Sequence, residues 1–171
     1  HFIEANTQEV TLNHLKNDCI TPVFSKDNEL TINHAQFVET IQDAAQSFFS
    51  GEKVEQATIR TSHIIKGRIP EAIHKPANQL LESDKTIYYE RAAFSIDVPT
   101  IYETVGGNKL NLSIVGVRAY TQMNIYSKKV PELFRLAIGF KNQVCCNMCI
   151  FTDGYKDDLR VSNTTELYRD A

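Results

Sequence analysis

The sequence predicts an α+β fold: an antiparallel β-sheet with N-terminal helices packed on one face. Three observations predict it. Asn33 to Gly51 repeats its apolar residues at helical spacing, with Phe37, Ile41, Ala44, Ala45, Phe48 and Phe49 on one side. The stretch from 86 to 120 alternates β-branched and aromatic residues with polar ones around a central Gly106-Gly107-Asn108. The 171 residues, 42% hydrophobic and 23% charged, suit one soluble domain with a single core.

The elements follow in chain order. Thr11 caps a short helix in TLNHLKND, and Pro22 then forces an extended segment through ITPVFSKDNEL. Asn33 caps the helix over about 34–49, and Gly51 sits where a left-handed terminator belongs. Thr58 to Ile65 is rich in β-branched residues and reads as a strand, with Lys66-Gly67-Arg68 as the turn after it. Pro70 and Pro76 restrict the next stretch to short helical pieces, one of them over Pro76 to Leu81. Strands over 86–98 and 109–120 then form a hairpin, because the glycines at 106 and 107 supply the positive φ angles of a tight turn. A second strand pair is expected over 132–140 and 143–151, and TDGYKDD reads as a turn. Ser162 or Asn163 caps a last helix, with Glu166 placed for a capping box. Two turns of helix are marginal by themselves, so the domain, residues 1–171, is expected to be the N-terminal part of a longer protein.

Composition excludes several classes. No apolar run approaches the roughly 18 residues of a membrane span. No basic-then-apolar leader is present, and Cys145, Cys146 and Cys149 cluster far from Cys19 rather than forming a disulfide framework. The expected setting is therefore the reducing cytoplasm. Net charge is −3, laid out as −6 over residues 1–58, +5 over 59–141 and −2 over 142–171. A basic middle points to an anionic partner.

The cysteine run VCCNMCIF could be a metal knuckle, a redox or nucleophilic centre, or a buried strand. Zinc needs four ligands; Cys146 and Cys149 make one pair, and Cys19, His14, His34, His63 and His74 are scattered singly. A redox pair favours a helix start, whereas the flanking Val, Met, Ile and Phe suit a strand. Core packing by small apolar thiols is the preferred reading, with no metal, cofactor or catalytic residue assigned. A cysteine-dependent enzyme using Cys146 or Cys149 with a histidine is the least favoured alternative.

Two basic stretches carry the binding hypothesis. Lys66 and Arg68 flank a glycine, with Lys75 downstream, a grouping suited to phosphate; a charged loop neutralised by acidic neighbours is its competitor. Arg118, Tyr120, Tyr126, Lys128, Lys129 and Arg135 interleave cations with rings, as a single-stranded nucleic-acid platform would. Ordinary amphipathic strands give the same pattern. The expected partner is nucleic acid, single-stranded or duplex; another protein, or the chain's own C-terminal region, is the alternative. Oligomeric state is not indicated.

The stretches SHIIKGRIPEAIHKPANQLL, KTIYYERAAF and GVRAYTQMNIYSKKVPELFRLAIGFKNQVCCNMCIFTDGYK together resemble an uncharacterised domain-of-unknown-function family from Bacteroides-type bacteria, their prophages and conjugative elements. Members of that family are longer, and this chain resembles their N-terminal half. Arg118 through the VCCN at 144–147 is more distantly similar to a broad phage- and plasmid-associated family of unknown function. The resemblance implies a protein of bacterial mobile DNA, and it supplies no activity and no site residue.

Overall fold

A computed structural model describes residues 6–24, 30–122, 131–142 and 155–171. Its framework is a six-stranded antiparallel sheet whose strands lie side by side in chain order. The strands are β1 (Gln8–Val10), β2 (Thr58–Arg68), β3 (Lys85–Val105), β4 (Asn108–Ala119), β5 (Glu132–Asn142) and β6 (Tyr155–Val161). Helices α1 (Leu12–Asn17), α2 (His34–Phe48) and α3 (Thr164–Asp170) complete the α+β fold.

Local signals place the helices where the sequence expects them. Thr11 Oγ1 accepts from the His14 amide at 3.1 Å. Asn33 and Gln36 form a reciprocal capping box: Asn33 Oδ1 accepts from the Gln36 amide at 2.8 Å, and Gln36 Oε1 from the Asn33 amide at 2.9 Å. Gly51 follows α2 at φ +94°. Asn163 caps α3, with Glu166 bonding back to the Ser162 amide at 2.8 Å. Gly106 and Gly107, at φ 57° and 80°, close the β3–β4 hairpin as a tight turn requires.

The strands depart from expectation in three places. Lys66 to Arg68 is strand, not turn, because Lys66, Gly67 and Arg68 pair with Ile87, Thr86 and Lys85. The segment read as a turn, TDGYKDD, contributes Tyr155 to Asp158 to β6, and β6 pairs with β5. The expected strand over 143–151, with its three cysteines, lies outside the described residues. Pro76 to Leu81 holds only a single 3-10 turn, Ala77–Gln79. Pro99 to Ile101 bulge out of the β3–β4 register, where proline has no amide to donate. There the Glu55 amide bonds the Asp97 carbonyl at 2.9 Å, so the chain leaving α2 runs along that edge of β3.

The core lies between α2 and one sheet face. Phe37 of α2 sits with its ring centroid 5.0 Å from Phe94 and 4.7 Å from Phe134, and Ile41, Ile96, Leu159 and Leu167 surround them. Gly116 is required beneath: a β-carbon there would stand 2.3 Å from Phe94 Cε1 and Cζ.

Candidate nucleic-acid interface

Alternation along paired strands gives the sheet two faces. One carries Ile59, Phe94, Gly116, Phe134 and Leu159 and is covered by α2. The other is open to solvent around Val117, which is 43% exposed. Register places Arg60, Ala93, Val117, Arg135 and Asp158 in one row across five strands of this open face. Arg91 and Ala119 oppose each other in the adjacent row, and Lys156 and Arg160 flank Asp158 along β6. The middle strand β4 offers only uncharged side chains here, Ser113, Val115, Val117 and Ala119, of which Val117 alone is exposed, so the cations stand on either side of a small-residue floor.

Acidic side chains hold some of these cations. Arg135 Nε lies 3.2 Å from Asp158, Arg60 Nη1 3.9 Å from Glu9, and Lys141 Nζ 3.2 Å from Asp97. Arg60 also donates to Thr7 Oγ1 at 2.8 Å. Arg91, Lys156 and Arg160 are exposed and make no ion pair among the described residues. The surface therefore keeps an excess of positive charge.

The residues expected from sequence separate into three groups. Lys66, Arg68 and Lys75 gather where β2 meets the start of β3. Arg68 Nη1 donates to the Lys75 carbonyl at 2.7 Å, Lys75 is paired with Asp84 at 2.7 Å, and neighbouring Lys85 with Glu82 at 2.5 Å. The Lys75 ammonium holds the Asp84 carboxyl below the ordinary carboxylate range. Only Lys66 in that group is both exposed and without an ion pair among the described residues. Tyr126, Lys128 and Lys129 lie outside the described residues.

Arg118 and Tyr120 are both 1% exposed and belong to the interior. Arg118 pairs with Glu132, donates to the Ile32 carbonyl, and lies 4.4 Å from the Phe134 ring and 4.8 Å from the Tyr120 ring. Glu132 in turn accepts from the Ile32 amide at 3.1 Å. Tyr120 stacks on His34 with ring centroids 4.3 Å apart. His34 Nε2 donates to the Tyr89 carbonyl at 2.8 Å, and burial, then the Arg118 charge, lowers its pKa to about 3. These groups fasten α2 to the sheet.

Sequence reading missed Arg60, Arg91, Lys156 and Arg160. Their signal is the period of two around Arg60 and Arg91: Arg60 lies between Ile59 and Thr61, and Arg91 precedes the alternating Ala92 and Phe94; it marks an outward face but not which cations share it.

A second constellation also escaped the sequence. His14 Nδ1 donates to Asp18 at 2.8 Å, while His14 Nε2 lies 3.0 Å from the Tyr89 hydroxyl and 3.5 Å from Cys19 Sγ. Gln8 Nε2 donates to the same hydroxyl at 2.8 Å. The order resembles a thiol nucleophile, base and orienting carboxylate. However, Cys19 is 6% exposed, and burial, then the Asp18 charge, pushes its pKa up to about 11, so it rests as a thiol. Among the described residues no group of three or more His, Cys, Asp or Glu could hold a metal ion.

Comparison with known families supplies the relationship. The family described as "Domain of unknown function, B. Theta Gene description" (DUF3871) matches residues 1–171. The chain belongs to the DUF3871 family. No curated protein and no solved structure matches it. Among the described residues of this DUF3871 chain, no helix is long and apolar enough to cross a membrane.

Proposed function

We propose that this DUF3871 protein is a non-enzymatic nucleic-acid-binding accessory of bacterial mobile DNA, acting in the cytoplasm and gripping the phosphate backbone on the open sheet face. The observation that carries the reading is the placement of Arg60, Arg91, Arg135, Lys156 and Arg160 on either side of the uncharged floor of β4. The mobile-DNA setting rests on the family resemblance alone.

The chemistry of the floor favours a duplex over a single strand. Single-strand binding draws on bases stacked upon aromatic rings. Ala93, Val117, Ala119 and Ala137 offer no ring, and of the two tyrosines expected to stack Tyr120 is buried while Tyr126 lies outside the described residues. What remains is charge neutralisation, which positions a backbone and reads little sequence.

Fluorescence anisotropy with labelled duplex and single-stranded oligonucleotides tests the reading. Three to five phosphate contacts give a log–log salt slope of about −3 to −4.5 on duplex, a loss of roughly 60- to 500-fold between 50 and 200 mM salt. Reversing two cations that make no ion pair among the described residues, Arg91→Glu with Arg160→Glu, should abolish measurable binding while leaving the fold intact. No binding to either form at low salt, or binding indifferent to that double reversal, ends the proposal.

A second reading, a protein-interaction module, draws on a different surface. An apolar groove of about 290 Å³ lies between the end of α2, α3 and strands β4 and β5. Phe48 stands at its rim 82% exposed. Intact nucleic-acid binding in Phe48→Ser would separate that groove from the cationic face.

A further inference from the structure

Beside the cationic floor, one polar cluster is set into the sheet. Asp97 of β3 and Ser113 of β4 are directly opposed, and Ser113 Oγ donates to Asp97 Oδ1 at 2.5 Å. Lys141 reaches over from β5, its Nζ 3.2 Å from each Asp97 oxygen and 3.3 Å from Ser95 Oγ. Gly139 stands opposite Ser113 on β5 and puts no side chain in the way. Asn111 occupies the β4 position directly opposite Lys141. It is 1% exposed, and among the described residues neither its amide nitrogen nor its amide oxygen has a hydrogen-bond partner.

A buried primary amide with no partner among the described residues demands an explanation, because such groups in folded proteins are almost always paired. Opposed residues on neighbouring antiparallel strands share a face, with β-carbons about 5 Å apart. A lysine, an aspartate already bonded to that lysine's nitrogen and an unengaged asparagine amide are the three groups an amide exchange uses. We propose that Lys141 and Asn111 become joined by an intramolecular isopeptide bond, formed without any enzyme or cofactor, with Asp97 as the proton carrier.

The step balances with these groups alone. The Lys141 ammonium gives a proton to the Asp97 carboxylate, and the neutral Nζ attacks Cγ of Asn111. As the tetrahedral centre collapses, Asp97 protonates the departing amide nitrogen and takes the surplus proton from Nζ. The Cγ–Nδ2 bond breaks, the Cγ–Nζ bond forms, ammonia leaves, and Asp97 ends protonated. Holding both reactants on adjacent strands replaces a bimolecular encounter with an intramolecular one, the condition under which effective molarity becomes large. Removal of bulk water protects the product from hydrolysis. The resulting link ties β4 to β5 across the middle of the sheet.

Intact-mass spectrometry of the purified, folded chain decides the matter. The expected mass is that of the sequence less one ammonia. Trypsin, which does not cut after an acylated lysine, should then release residues 110–118 joined to residues 136–156. Lys141→Arg retains a cation for Asp97 but lacks a nucleophilic amine, so it should carry its full sequence mass, as should Asn111→Ala. Asn111→Asp should lose water instead of ammonia and arrive at the wild-type product mass. A wild-type chain at its full sequence mass overturns the proposal whatever the variants do. So does an ammonia loss that survives in Lys141→Arg.

Discussion

Replacing Arg118 with methionine should unfasten the entry of α2 from the sheet. The guanidinium is bonded to Glu132 and to the Ile32 carbonyl, and it packs between the Phe134 and Tyr120 rings with almost no exposure. Methionine fills much of that volume but removes the guanidinium that pairs with the buried Glu132 carboxylate. Breaking a buried pair from one side costs about 3–5 kcal/mol. That is a large share of the roughly 5–15 kcal/mol that holds an ordinary domain together. Arg118→Met with Glu132→Gln removes both charges and keeps an acceptor for the Ile32 amide, so the double variant should be more stable than the single by about 2 kcal/mol. Urea unfolding followed by far-UV circular dichroism measures both; the chain has no Trp, so tyrosine emission serves as the second probe. A single variant losing under about 1 kcal/mol, or a double losing as much as the single, would refute the assignment of a desolvated pair.

Other outcomes follow from equally local causes. Gly116→Ala forces a β-carbon to 2.3 Å from Phe94 and 3.0 Å from Phe37 Cζ, and overpacking of this kind costs about 1–3 kcal/mol or more, read as a lower urea midpoint. Phe94→Leu should recover part of that loss. Asn33→Ala removes one half of the α2 capping box and should cost about 1 kcal/mol in the same assay. His34 makes stability fall with acidification: its folded pKa is lowered to about 3, so below the ordinary 6.5 the unfolded chain takes up a proton that the folded chain refuses. Between pH 7 and 5.5 the wild type should lose about 1 kcal/mol more than His34→Gln; equal losses would show that His34 is not held neutral.

Much of the scaffold was legible because its causes are local. Asn33 with Gln36, Asn163 with Glu166, and paired glycines at 106 and 107 each act within four residues, so a sequence window contains the whole interaction. The extension of β2 through Arg68 was not legible. Lys66-Gly67-Arg68 has turn composition, and only pairing with Lys85, Thr86 and Ile87 makes it strand. β6 hid for the same reason: Asp157 and Asp158 suggest a turn until β5 offers them partners.

By itself the sequence determined the class of fold, the helix limits, the hairpin and a middle segment rich in cations. It could not tell which cations meet solvent. Arg118 and Arg91 look alike in their strands, yet one is sealed against Glu132, 14 residues away, and Ile32, 86 residues away, while the other stands exposed. Charge is a property of the residue, but desolvation depends on what packs over it. Only the tertiary structure brought α2 down on one face of the sheet and left Val117, Arg91, Lys156 and Arg160 of the other exposed to solvent.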